Sequence, residues 1–208
     1  MITVYGTPPT RALRVIWLLE EMGLDYAIRS VDFARRSEDA EFLEVSPAAA
    51  LPGIRDGEVQ MMESVAILEY LTTRYGPGPL SLTAADPDYP TYLQFLHYGE
   101  ASLAAPLNVA MATRLFAPEE HKRNWGAQIA VEMVLRRSVA VGAQLKRTPY
   151  LAGARFTAAD ISCGWALRLA KFFGFEDKLD PVIAEYLARL WARPAYERAA
   201  ATGRPLGP

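Results

Sequence analysis

A chain of 208 residues and 23.0 kDa has room for one large domain or two small ones. Its 51% apolar and 22% charged residues exclude a largely disordered chain. A net charge of −2 sets up no global field for nucleic acid, and a lone cysteine, Cys163, excludes an intramolecular disulfide framework.

Met1 to Tyr5 reads as the start of a strand rather than as a basic leader with an apolar stretch. No run reaches the roughly 18 apolar residues of a membrane span. The stretch from Ala101 to Ala112 is interrupted by Pro106 and Asn108. A cytoplasmic protein that does not enter a membrane is the expectation.

In chain order, Ile2 to Tyr5 is a short strand closed by Gly6 and Pro8-Pro9. The run from Thr10 to Gly23 is helical, with Leu13, Ile16 and Trp17 at helical spacing, Thr10 as N-cap and Gly23 as stop. Tyr26 to Phe33 reads as a strand, and Ser37 to Glu44 as a short helix behind an N-cap. Gly53 to Arg55 and Val59 to Met62 are strands around Asp56-Gly57, a hairpin signal. Glu63 to Tyr75 is an amphipathic helix ended by Gly76.

Breakers then crowd the stretch from Gly76 to Asp88. Beyond it only helical patterns follow: Tyr89 to Phe116, Pro118 to Leu145, Thr157 to Phe173, Pro181 to Ala192 and Pro194 to Ala201. The expected organisation is a βαβαββα unit over 1–77, a linker over 78–87 and an all-helical domain over 88–208.

That split, with Leu51-Pro52 before the third strand and Glu63-Ser64 opening a helix, resembles the cytosolic glutathione transferase superfamily over essentially the whole chain. The resemblance implies a thioredoxin-like first domain that binds glutathione, followed by an all-α helical bundle. It also implies glutathione as co-substrate, no metal, a homodimer with isologous contacts, and conjugation of small hydrophobic electrophiles in detoxification.

Residue by residue, the resemblance makes physical sense. Ser64 at a helix start offers a hydroxyl beside unpaired N–H groups, which suits the α-carboxylate of the γ-glutamyl group. Glu63 beside it suits the ammonium. The pair would otherwise be a helix cap with a first-turn acid. In the family the proline matching Pro52 is cis and exposes the main chain of the residue before it. Leu51 would then pair with the cysteinyl unit like a short added strand. Many relatives carry a polar residue near Ala50 for the glycyl end. Here Ala48-Ala-Ala50 offers no donor, so either Arg35 or Arg36 reaches over or that end is held weakly.

The family places a Tyr, Ser or Cys after the first strand to favour the thiolate. This chain offers Tyr5, Thr7, Thr10 and Arg11. Tyr5 sits within the strand. Thr10-Arg11 occupies the place of Ser-Arg in relatives, with Thr7 in reserve. A threonine is too weak a base to take the proton, but its hydroxyl can donate to sulfur, with Arg11 and helix N–H groups adding positive potential. Thr10 can equally be the N-cap. No cysteine stands there, which favours conjugation or peroxide reduction over thiol transfer.

An acceptor pocket between the domains would draw on Tyr98, Leu107, Met111, Arg114 and Phe116, of which Tyr98, Met111 and Arg114 are the chosen candidates. Arg114 would polarise an electrophile, receive a carboxylate, or snorkel. Cys163 reads as core. Thr157 and Asp160 form a capping box, and His97 and His121 make no metal-ligand pattern.

Overall fold

The computed structural model describes residues 1–76, 78–122 and 124–203. Its centre is β1 (Ile2–Tyr5), which runs parallel to β2 (Tyr26–Arg29) and antiparallel to β3 (Gly53–Asp56). β3 pairs antiparallel with β4 (Val59–Met62), giving the order β2-β1-β3-β4. The strand expected over Tyr26 to Phe33 stops at Arg29, because Arg29 faces Tyr5, the last residue of β1, and no further partner remains. Phe33 is exposed instead, under the Arg36 guanidinium at 4.2 Å from its ring. The two parallel strands are joined by α1 (Ala12–Met22), in which every residue from Ala12 to Leu19 is buried. A helix apolar all round is a core helix. It packs on α3 (Ser64–Arg74) and on α9 (Pro194–Ala201).

Two helix starts differ from expectation. Arg11, not Thr10, takes the cap position of α1, and the Thr10 hydroxyl closes the preceding turn by donating to the Thr7 carbonyl at 2.7 Å. In α2 (Ala40–Val45) the cap is Asp39, which accepts from the Phe42 N–H at 3.0 Å. Ser37 lies in a single 3-10 turn, Arg36–Glu38. Asp39 wins because Arg29 holds both its oxygens, at 2.7 and 3.0 Å, and a carboxylate suits the positive end of a helix.

The chain divides into two compact units, one of Met1–Ser81 together with the chain from Trp191 onward, the other Leu82–Leu190. The last helix therefore belongs with the sheet. Glu21 accepts from Arg193 at 2.6 and 2.8 Å and from the Trp17 indole at 2.9 Å. Glu20 accepts from Tyr26 at 2.6 Å and Arg198 at 2.5 Å, and Trp17 meets Tyr196 edge-on at 4.9 Å.

The second unit contains α4 (Tyr89–Tyr98), α5 (Leu107–Phe116), α6 (Trp125–Leu145), α7 (Ala158–Phe173) and most of α8 (Pro181–Trp191). The helical pattern from Tyr89 to Phe116 is wound as a π-helix over Gly99–Ala104, where the Ala105 N–H reaches back to the Glu100 carbonyl at 2.8 Å. Pro106 explains the irregularity. It has no N–H to give to the Ser102 carbonyl four residues earlier, and the Arg137 guanidinium supplies that donor at 3.1 Å. The pattern expected from Pro118 becomes α-helix only at Trp125, where Asn124 accepts from the Ala127 N–H at 2.9 Å.

α7 is the core of this unit. The capping box is formed, with the Thr157 N–H donating to Asp160 at 2.8 Å, and Asp160 also accepts from the Leu151 N–H and the Tyr186 hydroxyl. Cys163 is buried, as expected of a core residue, and donates to the Phe95 carbonyl. Gly99 lies directly on α7, where a Cβ would come within 2.3 Å of the Ser162 Oγ and 2.5 Å of its carbonyl carbon. Gly99→Ala should destabilise the protein by about 2–3 kcal/mol, read as a lower denaturant midpoint.

Burial pushes the Glu20 carboxyl up, but the hydrogen bonds from Tyr26 and Arg198 outweigh it and hold it below its ordinary 4.5. Its contribution is therefore complete above that value and is lost as pH falls through the depressed one. Glu20→Gln should cost about 1 kcal/mol at neutral pH, since Arg198 is solvent-screened. In thermal melts the gap to wild type should close in strong acid.

Candidate functional site

Three stretches of the first unit converge beside α1. The β1–α1 loop lies against the segment before β3. Gly6 holds φ of 115°, and a Cβ there would sit 3.1 Å from Leu51 Cδ2 and 3.4 Å from the Ala12 Cβ. The start of α3 is tied to α1 by a buried hydrogen bond, Arg14 Nη1 to Ser64 Oγ at 3.1 Å. The structure therefore brings Gly6, the residue before Thr7, against Leu51, and ties Ser64 to α1 through Arg14.

The Leu51–Pro52 peptide bond is cis, as the resemblance implies, and Pro52 is buried. Among the described residues the Leu51 N–H and C=O have no hydrogen-bond partner. Ala50 is exposed, and its N–H donates to the Ser46 Oγ at 3.0 Å. Arg36 is the arginine that reaches the alanine run, with Nε donating to the Ala49 carbonyl at 3.0 Å. Arg35 turns outward to Glu38.

Ser64 is buried and Glu63 exposed. Glu63 sits at the cap position of α3 with φ of 73°, a left-handed backbone that a non-glycine residue adopts only where its surroundings enforce it. It makes no side-chain cap, so the pair is not an ordinary helix cap. The first turn of α3 therefore opens on a buried serine hydroxyl with an exposed carboxylate residue before it.

In the β1–α1 loop the Thr10 hydroxyl is committed twice. It donates to the Thr7 carbonyl and accepts from the Ala12 N–H at 3.3 Å. The Thr7 side chain is half-buried, and its hydroxyl has no hydrogen-bond partner among the described residues. Tyr5 faces elsewhere, donating to Glu41 at 2.8 Å. Burial and the neighbouring Glu41 carboxylate push its phenol pKa up, and its hydroxyl hydrogen is given to Glu41.

The polar ends of two of the three acceptor candidates are engaged within the helical unit. The Tyr98 hydroxyl donates to the Arg137 carbonyl at 2.9 Å and its ring packs on Phe95. Arg114 stacks over Phe172 at 4.5 Å and donates to the Phe172 carbonyl at 2.6 Å, closing the last turn of α7. Of the readings open for Arg114, this is a helix-end contact. Met111 is half-buried on α5, Leu107 is buried and Phe116 exposed. A groove on α6, lined by Arg136, Val139, Lys146, Lys178 and Asp180, contains none of them. His97 and His121 are exposed. No group of three His, Cys, Asp or Glu among the described residues could hold a metal ion.

Arg14 is the residue that motif reasoning passes over. Its signal is present in the chain, since a helix apolar on every side must bury whatever polar residue it carries, and Arg14 stands inside the run from Leu13 to Leu19.

A family model described as the glutathione S-transferase N-terminal domain matches residues 1–73. Glutathione S-transferase 3 of Schizosaccharomyces pombe is 31% identical over 103 residues, 50% of this chain and 43% of that protein, so the match spans less than half of that relative. Glutathione S-transferase 3 of Zea mays is 28% identical over 213 residues, covering 96% of this chain and 93% of its own. Disulfide-bond oxidoreductase YfcG of Escherichia coli is 26% identical over 94% of this chain and 92% of its own. Among solved structures, a glutathione transferase from Phanerochaete chrysosporium in complex with oxidized glutathione superposes with a TM-score of 0.83 at 26% identity, over 95% of this chain and 94% of that one. A glutathione transferase family member from Pseudomonas fluorescens with two glutathione bound gives 0.83 at 26%, over 96% and 92%. With a thioredoxin-like sheet carrying a cis proline before β3, an uncapped Glu-Ser start to α3 and helices following, the chain carries a glutathione S-transferase N-terminal domain over residues 1–73 and is similar along nearly its whole length to cytosolic glutathione transferases.

Proposed function

We propose that this protein is a glutathione transferase that joins the glutathione sulfur to a small hydrophobic electrophile. The observation that carries the reading is the Leu51 main chain, without a hydrogen-bond partner among the described residues and beside the β1–α1 loop, in a unit whose α3 opens on a buried Ser64 without a side-chain cap. Residues 1–77 form the core of the glutathione-binding domain in this reading and most of 88–208 the helical one, the chain from Trp191 onward packing with the first. Ser64 and the first N–H groups of α3 receive the α-carboxylate, and Glu63 receives the ammonium. Leu51 pairs through its N–H and C=O with the cysteinyl unit. The exposed Ala50 leaves room for the glycyl end, whose carboxylate meets Arg36.

The chemistry is thiolate chemistry. A free thiol with a pKa of about 8.5 is mostly protonated at neutral pH. Lowering it by one unit takes about 1.4 kcal/mol, within reach of one aimed hydroxyl donor. Thr7 is that donor, because the Thr10 hydrogen is committed to the Thr7 carbonyl. Arg11 and the N-terminus of α1 add positive potential. The thiol proton leaves to solvent, the thiolate attacks carbon, a C–S bond forms, and the leaving group departs with its electron pair. Among the acceptor candidates Met111 is retained for the electrophile, the polar ends of Tyr98 and Arg114 being engaged within the helical unit. A homodimer and a cytoplasmic setting belong to the same proposal.

A second reading, a glutathione-dependent peroxidase or reductase of this fold, is favoured by the likeness to the Escherichia coli disulfide-bond oxidoreductase. Turnover of an aryl halide with glutathione supports the first reading. Peroxide or disulfide turnover without conjugation supports the second. Retention of neither activity by a protein that binds glutathione would leave a binding module.

Titration of the bound thiol by its thiolate absorbance should show Thr7→Ala raising the pKa by about one unit and Thr10→Ala raising it less. The reverse order would return the role to Thr10. Arg36→Ala should weaken glutathione by about tenfold in calorimetry and leave γ-glutamylcysteine, which lacks the glycyl carboxylate, unchanged. Equal loss for both ligands would remove Arg36 from the glycyl end.

A further inference from the structure

We infer that Arg14 is a positioning residue that turns the Ser64 hydroxyl toward the ligand carboxylate; this rests on the reading of Ser64 as that carboxylate's donor. Arg14 is 0% exposed and Ser64 3%, and the 3.1 Å contact between them is buried. A guanidinium has five donors and no acceptor, so the Ser64 oxygen is the acceptor in this pair. A serine hydroxyl carries one hydrogen. With Arg14 on one lone pair, that hydrogen points away from α1 and is left to donate to something else. The contact settles the direction of the hydroxyl before any ligand arrives, which removes an ordering cost from binding.

The placement of the charge points the same way. Arg14 is the third residue of α1, in the first turn, where the helix dipole disfavours a cation. Taking a guanidinium out of water is costly as well. Arg14 makes further interactions besides the one to Ser64, so its burial does not depend on that contact alone. Its position at the start of α3 nevertheless adds a fixed positive charge to the N–H groups there. Both effects favour a negatively charged group over a neutral one at the same spot. Arg14 thereby makes the α3 end of the cradle selective for a free, ionised α-carboxylate.

The test uses the full chain and two probes in calorimetry: glutathione, and the same tripeptide with the γ-glutamyl α-carboxylate replaced by hydrogen. Ser64→Ala and Arg14→Met should each weaken glutathione by about tenfold or more and change the decarboxylated probe by less than about twofold. Combined, they should lose less than the product of the single losses, because the two residues act as one unit. An equal loss for both probes, or losses that multiply, would make Arg14 a structural residue only. Should Arg14→Met fail to melt cooperatively, Arg14→Lys decides. A loss confined to glutathione supports the positioning role, and an unselective loss or none overturns it. A wild-type chain that binds neither probe overturns the Ser64 reading together with this one. Wild-type binding with no selective loss in the variants overturns the role of Arg14 alone.

Discussion

The buried hydrogen bond from Arg14 to Ser64 joins the first turn of α1 to the first turn of α3, and the rest of the candidate site is arranged around that join. It is possible only because α1 is buried from Ala12 to Leu19, so that a polar side chain in its run has no water to reach. Immediately before α1, Gly6 lets the β1–α1 loop pass within van der Waals contact of Leu51, at a φ of 115° that a larger residue would resist. The β1–α1 loop thereby lies against Leu51, and the start of α3 is held to α1.

The helical unit follows a different constraint, the close approach of α7 to the chain at Gly99. Pro106 breaks the hydrogen-bond ladder just beyond, and the π-turn absorbs the break with help from Arg137. Tyr98 donates to the carbonyl of that same Arg137, so one residue of α6 is both donor and acceptor to the irregular stretch. The Tyr98 hydroxyl is thereby engaged within the helical unit, as the Arg114 guanidinium is by the Phe172 carbonyl and ring.

Much of this was legible from the chain alone. The order Leu51-Pro52 then Glu63-Ser64 pointed to the thioredoxin-like half, and Thr157 with Asp160 marked the start of α7, because caps and turns depend on residues close in sequence. What escaped depends on tertiary partners. The length of β2 is set by where β1 ends, which no pattern in Tyr26 to Phe33 contains. Asp39 rather than Ser37 caps α2 because Arg29, ten residues earlier, holds it. Thr10 looks like the cap in sequence, but Arg11 takes that position and the Thr10 hydroxyl closes a turn onto the Thr7 carbonyl. The π-segment needed Arg137, far along the chain, to give the Ser102 carbonyl the donor that Pro106 lacks.

Amide chemical shifts followed by NMR during a glutathione titration test the cradle most directly. The largest saturable changes should fall on Leu51, Ser64 and Val65, with smaller ones at Thr7 and none on α6. Saturable changes centred on the helical unit, or no changes at millimolar ligand, would contradict a tripeptide site at the start of α3.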